Sequence, residues 1–508
     1  MKINRLTKYM IVGAVVLSAW SCEDNFLDEN MHSQLGPANF YNTEKDAVSA
    51  LNGVYDGFQD DAYYGRGMWH LVDYPTEMHF GFWNDDFDRY TYEDDENSRL
   101  YPFWTKAWDI NNRANSVIDR VSAMTIEDES VQSRIIGEAK FLRALNYFNM
   151  VRFFGHIPLI TNETVELDDN QFMNQTSRDS VYQFIIEDLE FAEANLPEIQ
   201  EEAGRATMGA AKSLLGKVYL TMAGYALDYE TGTLVKGDPA YYQKAADKLK
   251  EVIDMNVYGL EENFEDVFDP ENPNGKEIVF SIQYLAGTGG FNGGEGNSWT
   301  PVWVPKGSGI ALVEWKSGGT PIEFFNSYPA GDERRDASFM TSYINSDGAT
   351  ISYPESPLVA PHLRKFLSDI QEGPDPSFSA IDGKDYGCDF PVLRYADVLL
   401  MYSEALNELN DPNALWGVNQ VRIRAGANPL TTTEKEILKE DILQERKWEL
   451  TGEAHGWFDY ARLGVLLEPQ NSNGDRSGYL FPEMRNYLYP IPFTAREINQ
   501  NLEQNYGW

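Results

Sequence analysis

The chain has 508 residues, 42% hydrophobic and 13% aromatic, enough for a large core with aromatic side chains left over for surfaces. Its formal charge of -39, from 80 acidic against 41 basic residues, argues against nucleic acid as a partner, because phosphate binding needs clustered lysine and arginine. With cysteine only at Cys22 and Cys388 there is no disulfide framework and no cysteine-based metal site, and the six histidines are too scattered to suggest one of their own.

At the N-terminus, Lys2, Arg5 and Lys8 precede an apolar run from Met10 to Trp20. That run is too short to span a membrane as a mature helix and reads as an export signal. Cys22 follows Ala19-Trp20-Ser21, which predicts a lipoprotein signal peptide over residues 1–21, with acylation of the Cys22 thiol and a lipidated tether over 22–42. A cleaved soluble secretory peptide is the alternative.

Beyond the tether, Thr43 to Phe58 carries Ala47, Leu51 and Val54 at helical spacing behind Thr43 as N-cap. Residues 59–102 have no clean period and concentrate aromatics and acids, among them Trp69, Trp83, Asn84, Asp85 and Asp86. Such a stretch is a surface excursion or a ligand platform. Asp85-Asp86-Phe87-Asp88 lacks the glycine and closing glutamate of a calcium loop and reads as solvated acid. Helices are predicted over Phe103–Met124, Val131–Phe154, Arg178–Asn195, Ala206–Ala226 and Tyr241–Met255. In the second of these, Phe141, Leu145 and Phe148 take one side and Ile135, Ala139 and Leu142 another, so it should lie between layers. Small residues alternate with large ones around Ala210, Leu214 and Leu220, as in tetratricopeptide-type helices, although the segment lengths are too irregular for a strict repeat.

Residues 276–390 change character: Glu277 to Tyr284 reads as a strand, a glycine-rich loop follows, and Trp299, Trp303 and Trp315 come close together. From 391 to 464 helical patterning returns. Tyr395, Val398, Leu399, Tyr402, Ala405, Leu406 and Leu409 share one stripe, Asp411-Pro412 stops that helix, and a second opens near Asn413 and ends at Gly426. Glu404, Arg422, Arg424, Glu445, Arg446, Glu449, Asp459 and Arg462 are balanced in sign on neighbouring helices, a pattern that marks structural ion pairs rather than a catalytic centre.

The wording of this block, Arg394 to Glu408, Val418 to Gly426, Ile442 to Leu450 and His455 to Arg462, resembles the C-terminal signature of SusD-like (SusD/RagB) surface lipoproteins. The closing stretch from Leu488 to Trp508 and the acidic run after Cys22 resemble the same family. The resemblance implies a mostly α-helical, tetratricopeptide-like scaffold with minor β structure, divided into an N-terminal helical region (43–275) and a C-terminal region (276–508) with a loop-rich ligand part (276–390) and the helical signature (391–464). It also implies binding without enzymatic activity, and the residues themselves offer no cofactor or metal-ligand motif. The partners it implies are an oligosaccharide, a SusC-like TonB-dependent transporter, and the outer membrane through a lipid anchor.

From the residues themselves, sugar rings pair flat aromatic faces with amide and carboxylate groups. Trp83-Asn84-Asp85-Asp86 offers that pairing in four residues, with Trp69 nearby. Trp299, Trp303 and Trp315 lie where the resemblance places the other side of the ligand site. A core role beneath long loops is the competing reading for each tryptophan. Peptide capture, an all-helical glycoside hydrolase and a pure scaffold are the other functional readings, and no nucleophile elbow, zinc helix or phosphate loop is present.

Overall fold

The computed structural model describes residues 40–508 apart from 82–85, 95–98, 166–171, 287–294, 309–317, 346, 358, 368–385 and 469–480, and apart from the side chains of 300 and 301. The first helix, α1 (Glu44–Gln59), starts at the predicted cap. The Thr43 hydroxyl accepts from the Asp46 amide and the Asp46 carboxylate accepts from the Thr43 amide, which satisfies two donors that the helix itself leaves unpaired. A short helix α2 (Gly67–Val72) and a two-residue strand β1 (Phe80–Gly81) occupy part of the stretch that lacked periodicity.

Long helices then build the N-terminal half: α3 (Leu100–Ala123), α4 (Glu129–Phe154), α5 (Arg178–Asn195), α6 (Met208–Ala223) and α7 (Ala240–Asp254), with each packed on the one before it. Burial on both sides of α4 is as the sequence predicted, since Phe141, Leu142, Leu145 and Phe148 are all inaccessible or nearly so. Close approach of α6 and α7 needs Gly216, where an added Cβ would lie 2.7 Å from the Leu249 side chain. Helix α6 stops three residues earlier than predicted because the chain passes at Gly224 against the Arg462 carbonyl and turns into β2 (Tyr225–Leu227), which pairs with β3 (Leu234–Lys236).

In the C-terminal half, β4 (Ile278–Ile282) runs through the middle of the predicted strand. Loops then carry α8 (Thr300–Trp303), β5 (Gly318–Gly319), α9 (Ile322–Asn326), α10 (Arg334–Ser338), β6 (Phe339–Met340), β7 (Ser342–Ile344), β8 (Thr350–Ser352) and β9 (His362–Leu363) before β10 (Phe390–Arg394) pairs antiparallel with β4. Among the described residues the strands form only two-stranded antiparallel ribbons, β1 with β5, β6 with β9 and β7 with β8 besides those already given. The signature block folds into α11 (Tyr395–Glu408), α12 (Ala414–Arg424), α13 (Lys435–Leu450) and α14 (Gly456–Leu463), followed by α15 (Phe493–Ile498) near the C-terminus. Helix α11 packs on α7 and so joins the two halves. Among the described residues no helix is long and apolar enough to cross a membrane.

Buried between α10, α13 and the β4–β10 ribbon is a cluster of charges. Arg394 reaches Glu277 at 2.5 Å, Glu449 at 3.0 Å and Glu453 at 2.7 Å, while Arg334 reaches Asp332, Glu445 and Glu449 within 3.0 Å. Arg424 adds pairs to Glu277 and Glu449, and Arg422 pairs with Glu445. A second chain runs Lys217–Asp397–Arg446–Asp459–Arg462–Glu404. Burial alone would raise the Glu449 carboxyl, but Arg424, Arg394 and Arg334 together hold it well below the usual carboxylate range. The charged residues singled out in the sequence are thus internal ties between helices.

Candidate ligand-binding site

The two aromatic-rich stretches of the sequence meet at the ribbon of β1 and β5, where Phe80 faces Gly319 and Gly81 faces Gly318. Glycine is required there by contact, because a Cβ on Gly318 would lie 2.7 Å from the Trp303 ring and 3.1 Å from the Tyr74 hydroxyl, and one on Gly319 2.9 Å from the Phe80 ring. The ribbon therefore lies directly on Trp303. From the other side the turn after the tryptophan loop braces it: Asp88 is buried and accepts from the Gly81 amide at 3.3 Å.

Beneath the ribbon sits a stack of indoles. Trp69 lies in α2, Trp299 just before α8 and Trp303 at its end; Trp69 stacks on Trp299 with centroids 5.1 Å apart and meets Trp303 edge-on at 4.9 Å. Phe366 and Phe390 pack on Trp299 at 5.5 and 5.0 Å. Relative exposures of 1% for Trp69, 1% for Trp299 and 2% for Trp303 leave no ring face on which a sugar could stack. This corrects the expectation that these three contact ligand: brought together from distant parts of the chain, their large apolar faces bury one another, and they form a buried floor beneath the ribbon. Asp86 is exposed and holds its own turn, accepting from the Thr91 hydroxyl at 3.0 Å. Trp83, Asn84 and Trp315 lie outside the described residues, as does Cys22. Asp88, expected to be solvated acid, is instead the buried brace just described.

One turn of the signature block supports this assembly. Residues 451–454, between α13 and α14, accept the Trp69 indole N–H on the Gly452 carbonyl (2.8 Å) and the Lys365 ammonium on the Thr451 carbonyl (3.0 Å), and the Ala454 amide donates to the Asp73 carboxyl (3.0 Å). Glu453 ties the same turn to Arg394 and Lys365. His79, immediately before β1, has its Nε2 2.9 Å from the Thr451 hydroxyl and its Nδ1 3.3 Å from the hydroxyl of Thr320, immediately after β5. Burial drives its imidazole pKa down to about 3, so the ring is neutral and one nitrogen donates while the other accepts. Burial pushes the Asp73 carboxyl up to about 8, and its Oδ1 has no partner. Neither His79, Asp73 nor Thr451 carried a periodic or motif signal; what marks them is contact between segments hundreds of residues apart.

Elsewhere an open groove of about 290 Å³ is lined by Tyr101, Trp104, Trp108, Ile160 and Ile498. Its walls are mainly apolar and aromatic, with Thr105 and Asn499 as polar side chains among them. Among the described residues no cluster of His, Cys, Asp and Glu could hold a metal ion.

Comparison with known proteins bears on these features. Residues 324–508 match the SusD family, and residues 25–220 match a family described as starch-binding associating with outer membrane. SusD-like protein P2 of Formosa agariphila is 28% identical over 98% of this chain and 99% of its own length. A laminarin-binding SusD-like protein superposes with a TM-score of 0.72 at 25% identity, covering 92% of this chain and 100% of that one. A structure solved with a xylogluco-oligosaccharide superposes with a TM-score of 0.73 at 25% identity, over 89% of this chain and 97% of that one.

Proposed function

The chain belongs to the SusD family of carbohydrate-binding proteins, and on that premise we propose that it captures oligosaccharides at the outer membrane and passes them to a SusC-like TonB-dependent transporter. It is tethered by lipid on Cys22, and it breaks no bond in its ligand. The observation that carries the ligand assignment is the β1–β5 ribbon. Trp83 follows Gly81 by two residues and Trp315 precedes Gly318 by three. Gly81 and Gly318 face each other at one end of the ribbon, so the segments that carry the two tryptophans depart from the same end. Asn84 and Asp86 follow Trp83 in the sequence, so the stretches next to this ribbon end supply two indoles, an amide and a carboxylate.

Stacking on the apolar face of a sugar ring and hydrogen bonding to its hydroxyls need that combination. The buried Trp69, Trp299 and Trp303 act as a floor beneath the ribbon. The laminarin-binding relative and the xyloglucan-bound structure support a glycan over a peptide.

Calorimetry over a panel of soluble glucans, xyloglucan oligosaccharides and peptides tests the reading. Binding of a glycan by the wild type, weakened at least tenfold by Trp83→Ala and by Trp315→Ala with no release of reducing ends, is the expected result. Affinity for peptides alone, or hydrolysis of the glycan, overturns it. Loss of surface labelling in Cys22→Ala tests the anchor.

A further inference from the structure

Both feet of the β1–β5 ribbon are pinned by one side chain. His79 adjoins Phe80 at the start of β1 and Thr320 adjoins Gly319 at the end of β5. The imidazole of His79 bridges the Thr320 hydroxyl at 3.3 Å and the Thr451 hydroxyl at 2.9 Å, and its edge meets the Trp303 ring with centroids 4.9 Å apart. His79, Thr320 and Thr451 are each completely buried. Thr320 is fixed a second time, its amide donating to the Pro361 carbonyl at 2.9 Å. Thr451 in turn belongs to the turn that binds Lys365 and Arg394 through Glu453.

A two-stranded ribbon of two residues per strand is not stable by itself in water. Its conformation must come from what it sits on. Apolar contact with Trp303 can hold it down but does not fix its register along the indole face, whereas hydrogen bonds to both ring nitrogens of one rigid imidazole do. We infer that His79 is a positioning residue for ligand capture: it locks the ribbon in fixed register over the ionic core of the signature block. This rests on the ligand site proposed above. Buried between hydroxyls, the ring acts by shape and hydrogen bonding and does not touch ligand.

The test uses the full mature chain, with His79→Phe to keep the ring volume and remove both bonds, Thr320→Val to remove the ribbon bond alone, and His79→Asn as the conservative variant whose amide can reach where Nδ1 lies. Hydrogen exchange of the Phe80, Gly81, Gly318 and Gly319 amides is read without ligand, alongside glycan affinity and Tm. We expect at least tenfold faster ribbon exchange and at least tenfold weaker glycan binding in His79→Phe and Thr320→Val, partial recovery of both in His79→Asn, and a Tm for Thr320→Val within a few degrees of the wild type. Unchanged ribbon exchange overturns the anchoring. Faster exchange with unaltered affinity overturns its role in capture. A wild type that binds no glycan fails the functional reading instead, and the ribbon exchange of the same variants still decides the anchoring.

Discussion

Two interiors of opposite chemistry meet at residues 451–454. On one side Trp69, Trp299, Trp303, Phe366 and Phe390 pack ring against ring. On the other, Arg334, Arg394 and Arg424 interleave with Glu277, Glu445, Glu449 and Glu453. The aromatic side gains from burial in proportion to area and tolerates several arrangements. The ionic side has few arrangements that leave no buried charge unpaired. The difference suggests a division of labour in which the ionic core sets the geometry of the 451–454 turn and the aromatic floor transmits that geometry to the ribbon above it.

The sharpest way to break the comparison is Arg394→Met. It leaves Glu277, Glu449 and Glu453 each short of a partner inside the protein, and the loss should be on the order of 4 kcal/mol in chemical denaturation. Each of the three keeps another cation, Arg424 for Glu277, Arg424 and Arg334 for Glu449, and Lys365 for Glu453. Arg394 is one of the cations that hold the Glu449 carboxyl down, a contribution to stability that is present above the unfolded pKa and lost as pH falls. The deficit of the variant against the wild type should therefore shrink as pH falls below about 4, a dependence that a purely hydrophobic lesion lacks. Trp299→Ala is that lesion. Removing a fully buried indole from the floor should cost about 3 to 4 kcal/mol, with little dependence on pH between 5 and 8. Parallel pH profiles for the two variants would show that the interiors are not distinct in the way described.

Asp73 sharpens the same boundary from the opposite direction, because it is a carboxyl that the fold holds in its neutral form. With a folded pKa raised to about 8 by burial, it binds its proton more tightly folded than unfolded. Its contribution is fully present below the unfolded pKa near 4 and is lost as pH climbs through the window up to about 8. Asp73→Asn keeps the acceptor for the Ala454 amide and removes the ionisation. The variant should match the wild type near pH 4 and exceed it by on the order of 2 kcal/mol near pH 8, measured by thermal denaturation across that range.

The helices were legible because their signals are local. Thr43 capped α1 as read, Arg178–Asn195 is the helix predicted, and the apolar faces of 131–154 announced a buried layer. The charged signature was legible for the same reason, since balanced signs at helical spacing have few other uses. The tryptophans were not. Composition shows that Trp69, Trp299 and Trp303 are aromatic, but whether an indole faces sugar or another indole depends on contacts between α2 and α8, more than two hundred residues apart. Asp88 and His79 were missed on the same ground: a buried acid and a buried histidine look like solvated ones until the chain brings them an amide or a hydroxyl. The β1–β5 pairing, two residues against two, is too short to leave a period of its own.

The smallest change expected to matter is a single methyl group on the ribbon. Gly318→Ala places a Cβ where the Trp303 ring now lies at 2.7 Å, and Gly318 does not have the left-handed backbone that would itself forbid alanine. The lesion is therefore steric alone: either the indole or the ribbon must give. Trp303 is held edge-on by Trp69 and His79, at 4.9 Å in each case, inside a floor that is already filled. Phe80 and Gly81 are only half-buried and the ribbon has two residues per strand, so it is the part that lifts. Stability should fall by only about 1 kcal/mol, as for a modest overpacking. On the ligand site proposed above, glycan affinity should fall by roughly tenfold. Equal affinity for Gly318→Ala and the wild type by calorimetry would mean that the floor moves and the ribbon does not, and the aromatic interior would then be the softer of the two.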